Sequence, residues 1–177
     1  GGLDVSSSPS EFDALNHNTN IDAYVLGENY TPHGHQLKAH LDRSRFLILL
    51  TGRRGGKTVW ASREVPKRIY DPDGGDLARS LASGKKYEPG ARRGSSAWWG
   101  RVPRLHYWVV AEVNDLLDEA KRQLRLAIPL DLIEHEDGYT NAWWLKPDIL
   151  IAFRTAKAPK RLVGPGLEGL WIEEAAR

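Results

Sequence analysis

Three stretches of the chain are apolar at nearly every position and are bounded by glycine or charged residues. They are residues 46–50, Leu105–Ala111 and residues 169–172. Continuous apolar runs of this length, without alternating polar positions, are typical of strands that are buried on both faces of a parallel sheet. We therefore predict three buried strands, the first of which runs directly into a glycine-rich loop.

Apolar residues elsewhere follow the spacing of amphipathic helices. A short helix is predicted over 36–41, and a second over 58–69 with an interruption at Pro66. A third helix is predicted to start at Asn114, a favourable N-cap residue, and to end before Pro129. One face of this third helix carries Leu116, Leu117, Ala120 and Leu124.

Two shorter apolar runs, 142–145 and 149–153, flank Lys146-Pro147-Asp148 and predict a β-hairpin. Because strands alternate with helices along the chain, we predict an α/β fold with a mostly parallel central sheet that is flanked by helices. Residues 1–20 are rich in Ser, Asn and Asp and are predicted to form a flexible arm. Residues 71–101 contain several Gly and Pro clusters and are predicted to form a long loop or insertion.

Composition adds few constraints. The formal net charge is only +2, so it neither requires nor excludes a nucleic-acid partner. The chain has no cysteine, which excludes disulfides and thiolate metal sites, and no apolar run approaches the roughly 20 residues of a membrane span. Basic residues do cluster around Trp98 and Trp99, where a solvated basic loop is the favoured interpretation and DNA contact the alternative. The clustered residues are Arg92, Arg93, Arg101 and Arg104, followed later by Lys157, Lys160 and Arg161.

The glycine-rich loop after the first predicted strand carries the strongest chemical signal. It follows the phosphate-binding pattern G-x-x-x-x-G-K-[ST], with Thr51 in place of the first glycine. Its backbone N–H groups and Lys57 suit the phosphates of ATP, the Thr58 hydroxyl suits Mg²⁺, and the following helix adds its dipole. The predicted nucleotide-binding residues are Thr51, Gly52, Arg53, Arg54, Gly55, Gly56, Lys57 and Thr58.

An acidic pair follows the last predicted strand. Glu173 is placed to hold the shell of a Mg²⁺ ion, and Glu174 to polarise a water that attacks the terminal phosphate. The alternative is a solvated acidic strand end without a metal. We favour the metal site because the same chain carries the phosphate-binding loop.

An aromatic residue and an amide precede the first predicted strand. Tyr30 could stack on an adenine base, and Gln36 could hydrogen-bond to the edge of that base. Ordinary packing at the start of a helix is the alternative interpretation for both residues.

Together these motifs resemble the ATPase domain of large terminase subunits, the DNA-packaging motors of tailed bacteriophages. The resemblance covers most of residues 30–177, and its most specific part is the order of three elements near the end of the chain. These are a strand at 151–156, the turn Arg161-Leu162-Val163-Gly164, and the ending Glu173-Glu174-Ala175-Ala176.

The resemblance implies a RecA-like P-loop NTPase fold over residues 21–177, with an incomplete core because family members continue with further strands and a separate nuclease domain. It implies that Lys57 and Thr58 bind phosphate and Mg²⁺, that Glu173 is the Mg²⁺-associated acid, and that Glu174 is the catalytic carboxylate. Arg53 matches a family arginine that senses the γ-phosphate, and Tyr30 and Gln36 match the adenine side.

The implied activity is hydrolysis of Mg-ATP that drives double-stranded DNA into a procapsid. The implied partners are DNA, a portal protein, a small terminase subunit and further copies in a ring, in the host cytoplasm and without a membrane. Two alternatives stay open. One is a helicase-like P-loop ATPase, and the other is a module that binds nucleotide or a partner without catalysing hydrolysis.

Overall fold

The computed structural model describes residues 30–50, 55–84, 101–157 and 166–173. It contains four α-helices and five strands within these ranges. The helices are α1 (Gly34–Leu41), α2 (Lys57–Tyr70), α3 (Asp76–Ala82) and α4 (Asn114–Ala127), and a 3₁₀ turn covers Leu130–Leu132. The strands are β1 (Leu105–Ala111), β2 (Ile133–Asp137), β3 (Ala142–Leu145), β4 (Ile149–Thr155) and β5 (Gly169–Glu173). No described helix combines the length and apolar character needed to span a membrane.

The five strands form one mixed sheet in the order β2-β3-β4-β1-β5. The central strand β1 pairs in parallel with β4 on one side and β5 on the other, whereas β2, β3 and β4 pair antiparallel. The predicted α/β class with a mostly parallel sheet core is therefore confirmed. Ala111 pairs with both Thr155 and Glu173, so the three parallel strands end at one edge of the sheet.

One face of the sheet is covered by α2 and α4. Helix α4 buries a stripe that includes Leu117 and Leu124, spaced so that they lie on one side of the helix. They pack in the main core with Val109, Ile151 and Phe153 of the sheet, all at most 1% exposed. The opposite face carries a smaller apolar cluster that consists of Trp108, Val110, Ala142 and Ala152.

Several predicted elements are confirmed. Strand β1 has the predicted bounds, the hairpin of β3 and β4 is formed, and the helices predicted over 36–41 and 58–69 are α1 and α2. Pro66 lies inside α2 without ending it. Asn114 is the first residue of α4, and the N-cap position is occupied by Val113 instead.

The prediction of a buried strand over residues 46–50 is wrong. This segment contributes no strand to the described sheet, and Phe46, Ile48 and Leu50 are each more than 80% exposed. Only Leu47 and Leu49 pack against the main core. The segment thus buries alternate side chains on one side, and nothing in the described part of the chain covers its other side.

Two elements were not predicted. Helix α3 lies within 71–101, so this region is not a loop throughout. Strand β2 has the sequence Ile-Glu-His-Glu-Asp, which contains one apolar residue and gives no apolar signal. It occupies the edge of the sheet, where alternate residues remain exposed.

The start of β5, where it pairs with β1, has room only for glycine. Gly169 pairs with Tyr107, and a Cβ at position 169 would overlap the Tyr107 ring. The hydroxyl of Tyr107 donates to Asp76 at the start of α3, and burial together with this carboxylate raises the pKa of the phenol. The ring therefore fills the space beside Gly169 while its hydroxyl holds α3 against the sheet.

We expect Gly169→Ala to lower the free energy of unfolding by about 2 kcal/mol, because the new methyl group forces the Tyr107 ring out of its position. Urea denaturation measures this change. Gly138→Ala is the matched control, since no atom lies within 4 Å of a Cβ built at Gly138. Equal stability losses in the two variants would contradict the proposed close approach.

Candidate functional site

The candidate site lies where α2 begins. Gly56 caps this helix with φ of 72°, a left-handed conformation that glycine adopts without steric cost. Lys57 and Thr58 are the first two residues of the helix. The first turn of a helix presents N–H groups that lack intrahelical partners and carries the positive end of the helix dipole, so this position suits an anion such as phosphate.

A hydrogen bond joins this helix to the last strand of the sheet. The Thr58 hydroxyl donates to Oε1 of Glu173 over 2.5 Å, although the two residues are 115 positions apart in sequence. Glu173 is only 7% exposed and lies at the carboxyl end of β5. Ligand sites of open parallel sheets lie at this edge. The structure therefore brings together the two side chains that the sequence assigned to Mg²⁺.

The chemistry of this pair fits Mg²⁺. Carboxylate and hydroxyl oxygens are hard ligands, and a hydroxyl that donates its proton still has lone pairs for a cation. The described residues contain no group of three or more His, Asp or Glu side chains that could hold a metal alone. That is expected for Mg²⁺, which is commonly held by one or two protein oxygens together with nucleotide phosphates and water.

Gln36 contacts the start of α2 directly. Its Nε2 donates to the carbonyl oxygen of Gly56 over 3.3 Å, and its Oε1 accepts from the backbone N–H of His33 over 3.1 Å. The indole N–H of Trp60 donates to the backbone carbonyl oxygen of Gln36 over 3.2 Å. Helix α1 is thereby joined to the glycine that caps α2. The adenine-binding role of Gln36 stays a prediction.

Tyr30 lies against the same pair of helices. Its hydroxyl is 3.0 Å from Nε2 of His40, and the Arg63 guanidinium lies 5.4 Å from the centre of its ring. Burial raises the pKa of Tyr30 to about 12, and the positive charge of Arg63 opposes that rise. Arg63 also donates to the carbonyl of Leu126 near the end of α4, over 2.8 Å. The adenine-stacking role of Tyr30 stays a prediction.

A buried carboxylate holds α1 and α2 together. Glu64 accepts from Nδ1 of His40 over 2.7 Å and from Nε of Arg68 over 2.7 Å, and Lys67 lies 3.5 Å away. A carboxylate can only accept, so Nδ1 of His40 carries the proton. The His40 ring lies 5.3 Å from that of Trp60. Sequence reasoning missed this cluster because His40 and Glu64 are 24 residues apart and belong to no recognised motif.

Several predicted site residues lie outside the described ranges. They include four residues of the phosphate-binding loop and the predicted catalytic carboxylate: Thr51, Gly52, Arg53, Arg54 and Glu174. Their predicted roles stay predictions.

The prediction of a solvated basic loop around Trp98 is wrong for Arg101, whose side chain is 14% exposed. It pairs with Asp148 and with Glu134. Its guanidinium also lies over the Trp144 ring. Arg92 and Arg93 lie outside the described ranges.

The fold is similar to that of the large terminase ATPase domain of Thermus phage P74-26, with a TM-score of 0.58 and 17% sequence identity. A mutant of the same domain matches with a TM-score of 0.57 and 18% identity. In both cases the match covers 89% of this chain and 58% of the other, so the chain spans less than two thirds of its neighbours' length. The sequence matches no protein-family model and no curated protein.

At this level of identity the likeness shows the fold alone. The described part of the chain shares the fold of these phage terminase domains, which confirms the predicted fold class and supports the resemblance seen in the sequence motifs.

We expect Glu64→Ala to lower the free energy of unfolding by about 3 kcal/mol, because it leaves the buried His40 N–H and the Nε–H of Arg68 without their acceptor. Urea denaturation again measures the effect. The control is Asp118→Ala, which removes a carboxylate that is 71% exposed and 3.5 Å from Lys121. Its effect should stay within about 0.5 kcal/mol. A comparable small loss for Glu64→Ala would mean that the cluster does not hold α1 on α2.

Proposed function

We propose that this protein is a terminase-type ATPase that binds Mg-ATP at the start of α2 and hydrolyses it to move double-stranded DNA. The hydrogen bond between Thr58 and Glu173 carries this proposal. It joins the end of the predicted phosphate-binding loop to the predicted metal acid at the carboxyl edge of the sheet. The likeness to phage terminase ATPase domains supports the same function.

Each residue has a distinct role in the proposed site. Lys57 binds the β- and γ-phosphates, and the N–H groups of the loop and of the first turn of α2 bind phosphate oxygens. Mg²⁺, when bound, neutralises charge on the phosphates. Thr58 and Glu173 would bind the ion through their side-chain oxygens. Glu174 orients the attacking water, and Arg53 or an arginine of a neighbouring subunit stabilises charge that develops on the γ-phosphate.

The proposed setting is a DNA-packaging motor in the host cytoplasm. There, copies of this chain would act in a ring on a portal, together with a small terminase subunit. The family resemblance is the support for these partners.

Lys57→Ala should abolish ATP binding because it removes the one lysine of the loop. Glu174→Gln should keep binding and lose hydrolysis, since only the orientation of water is affected. Isothermal titration with ATP measures binding, and phosphate release with and without DNA measures turnover. The control is Lys146→Ala, which removes an exposed lysine from the turn between β3 and β4, at the opposite edge of the sheet.

Unchanged ATP affinity in Lys57→Ala would exclude the proposed phosphate site. If the wild-type protein binds ATP but releases no phosphate with or without DNA, it is a nucleotide-binding module and not an ATPase.

Thr58→Val should reduce the gain in nucleotide affinity that Mg²⁺ provides, because valine has nearly the same shape as threonine but lacks the hydroxyl. Thr58→Ser keeps the hydroxyl and should keep most of this gain. The measurement is the ADP dissociation constant with Mg²⁺ and with EDTA for each variant. If the valine and serine variants respond equally to Mg²⁺, then Thr58 has no part in binding the ion.

A further inference from the structure

We propose that Trp171 is a positioning residue that fixes the Glu173 carboxylate for the Mg²⁺ site. This inference rests on the proposed function. The Trp171 indole Nε1 donates to Oε2 of Glu173 over 2.9 Å, and the other carboxylate oxygen accepts from Thr58 over 2.5 Å. Each oxygen is thus held by a different donor, and together the two donors define the plane of the carboxylate.

The arrangement follows from the geometry of a strand. Residues two apart on a strand point to the same face, so Trp171 and Glu173 both project toward the helices. Trp171 pairs in register with Val109, whose side chain is fully buried in the core beneath those helices. The indole is itself 8% exposed, so its N–H reaches the acid from a fixed position.

The hydrogen bond from Trp171 restricts the flexible side chain of Glu173. A glutamate has one more rotatable bond than an aspartate, and more rotamer freedom must be lost when its carboxylate is held in one place. A hydrogen bond from a rigid, buried indole removes part of that freedom before the ion binds. Shortening the side chain by one methylene would withdraw the carboxylate by about 1.5 Å, which the 2.5 Å contact with Thr58 does not tolerate without movement.

A competing explanation is that a buried indole simply needs an acceptor for its N–H, as most buried tryptophans do. In that case loss of the N–H would change stability and leave metal binding unaffected. Groups that orient the residues around a bound metal change metal affinity by about 10- to 100-fold when they are mutated. Metal dependence therefore separates the two explanations.

The first test uses Trp171→Phe, which keeps an aromatic ring and removes the N–H. The readout is ADP binding as Mg²⁺ is titrated, with a parallel measurement in EDTA. We expect the Mg²⁺ concentration at half-maximal enhancement to rise by about 10-fold, while ADP affinity in EDTA stays at the wild-type value. The control is Trp143→Phe, which removes another core indole, 4% exposed and three strands away from β5. It should leave the Mg²⁺ dependence unchanged.

A wild-type Mg²⁺ dependence in Trp171→Phe would overturn the proposal, as would equal shifts in the two tryptophan variants. A wild-type protein that binds no ADP under any condition would contradict the proposed function instead.

The second test does not depend on nucleotide binding or on the folding of Trp171→Phe. The indole N–H resonances of the seven tryptophans are recorded by ¹⁵N NMR in the wild type and in Glu173→Gln. One indole resonance should move strongly on substitution, because its acceptor loses a negative charge. If no indole resonance moves, the Trp171–Glu173 hydrogen bond is absent in solution and the proposal fails.

Discussion

Parallel pairing of β1 with both of its neighbours is the constraint from which the arrangement of the site follows. Parallel strands require a crossover between them, and here α4 lies in the connection from β1 to β4 and covers the face that they share. The same pairing makes all three strands end at one edge of the sheet. Glu173, the last residue of β5, therefore arrives beside the first turn of α2, where a buried carboxylate finds the Thr58 hydroxyl as its partner.

Polar contacts fix helix α2 to its neighbours at two places, in addition to its apolar packing. At its start, Thr58 is joined to the sheet and Gly56 to Gln36 of α1. Along its side, Glu64 is bonded to His40 of α1. Apolar surfaces tolerate small rotations, whereas a buried charge tolerates loss of its partners poorly. These contacts therefore set the orientation of α1 and α2 relative to each other more strictly than core packing alone.

The sequence predicted the structure correctly where a pattern of residues allowed one interpretation. Leu105–Ala111 is a strand with the predicted bounds, and Thr58 and Glu173, which were each assigned to Mg²⁺ from a separate motif, are joined by a hydrogen bond. Residues 46–50 were predicted wrongly because an apolar run does not reveal whether both of its faces are covered in the fold. Strand β2 was missed because an edge strand with one apolar residue carries no periodic signal. The contacts of Glu64 depend on tertiary packing of α1, which no local pattern encodes.

The separation of 115 residues between Thr58 and Glu173 also has a consequence for how the protein is made. Long-range contacts of this kind form slowly, because a large loop must close before the contact contributes any stability. During synthesis, α1 and α2 leave the ribosome well before β5 exists, so for that time the start of α2 lacks its acidic partner. The site is therefore completed only when β5 docks on β1, and a nascent chain that has not reached residue 173 cannot form it.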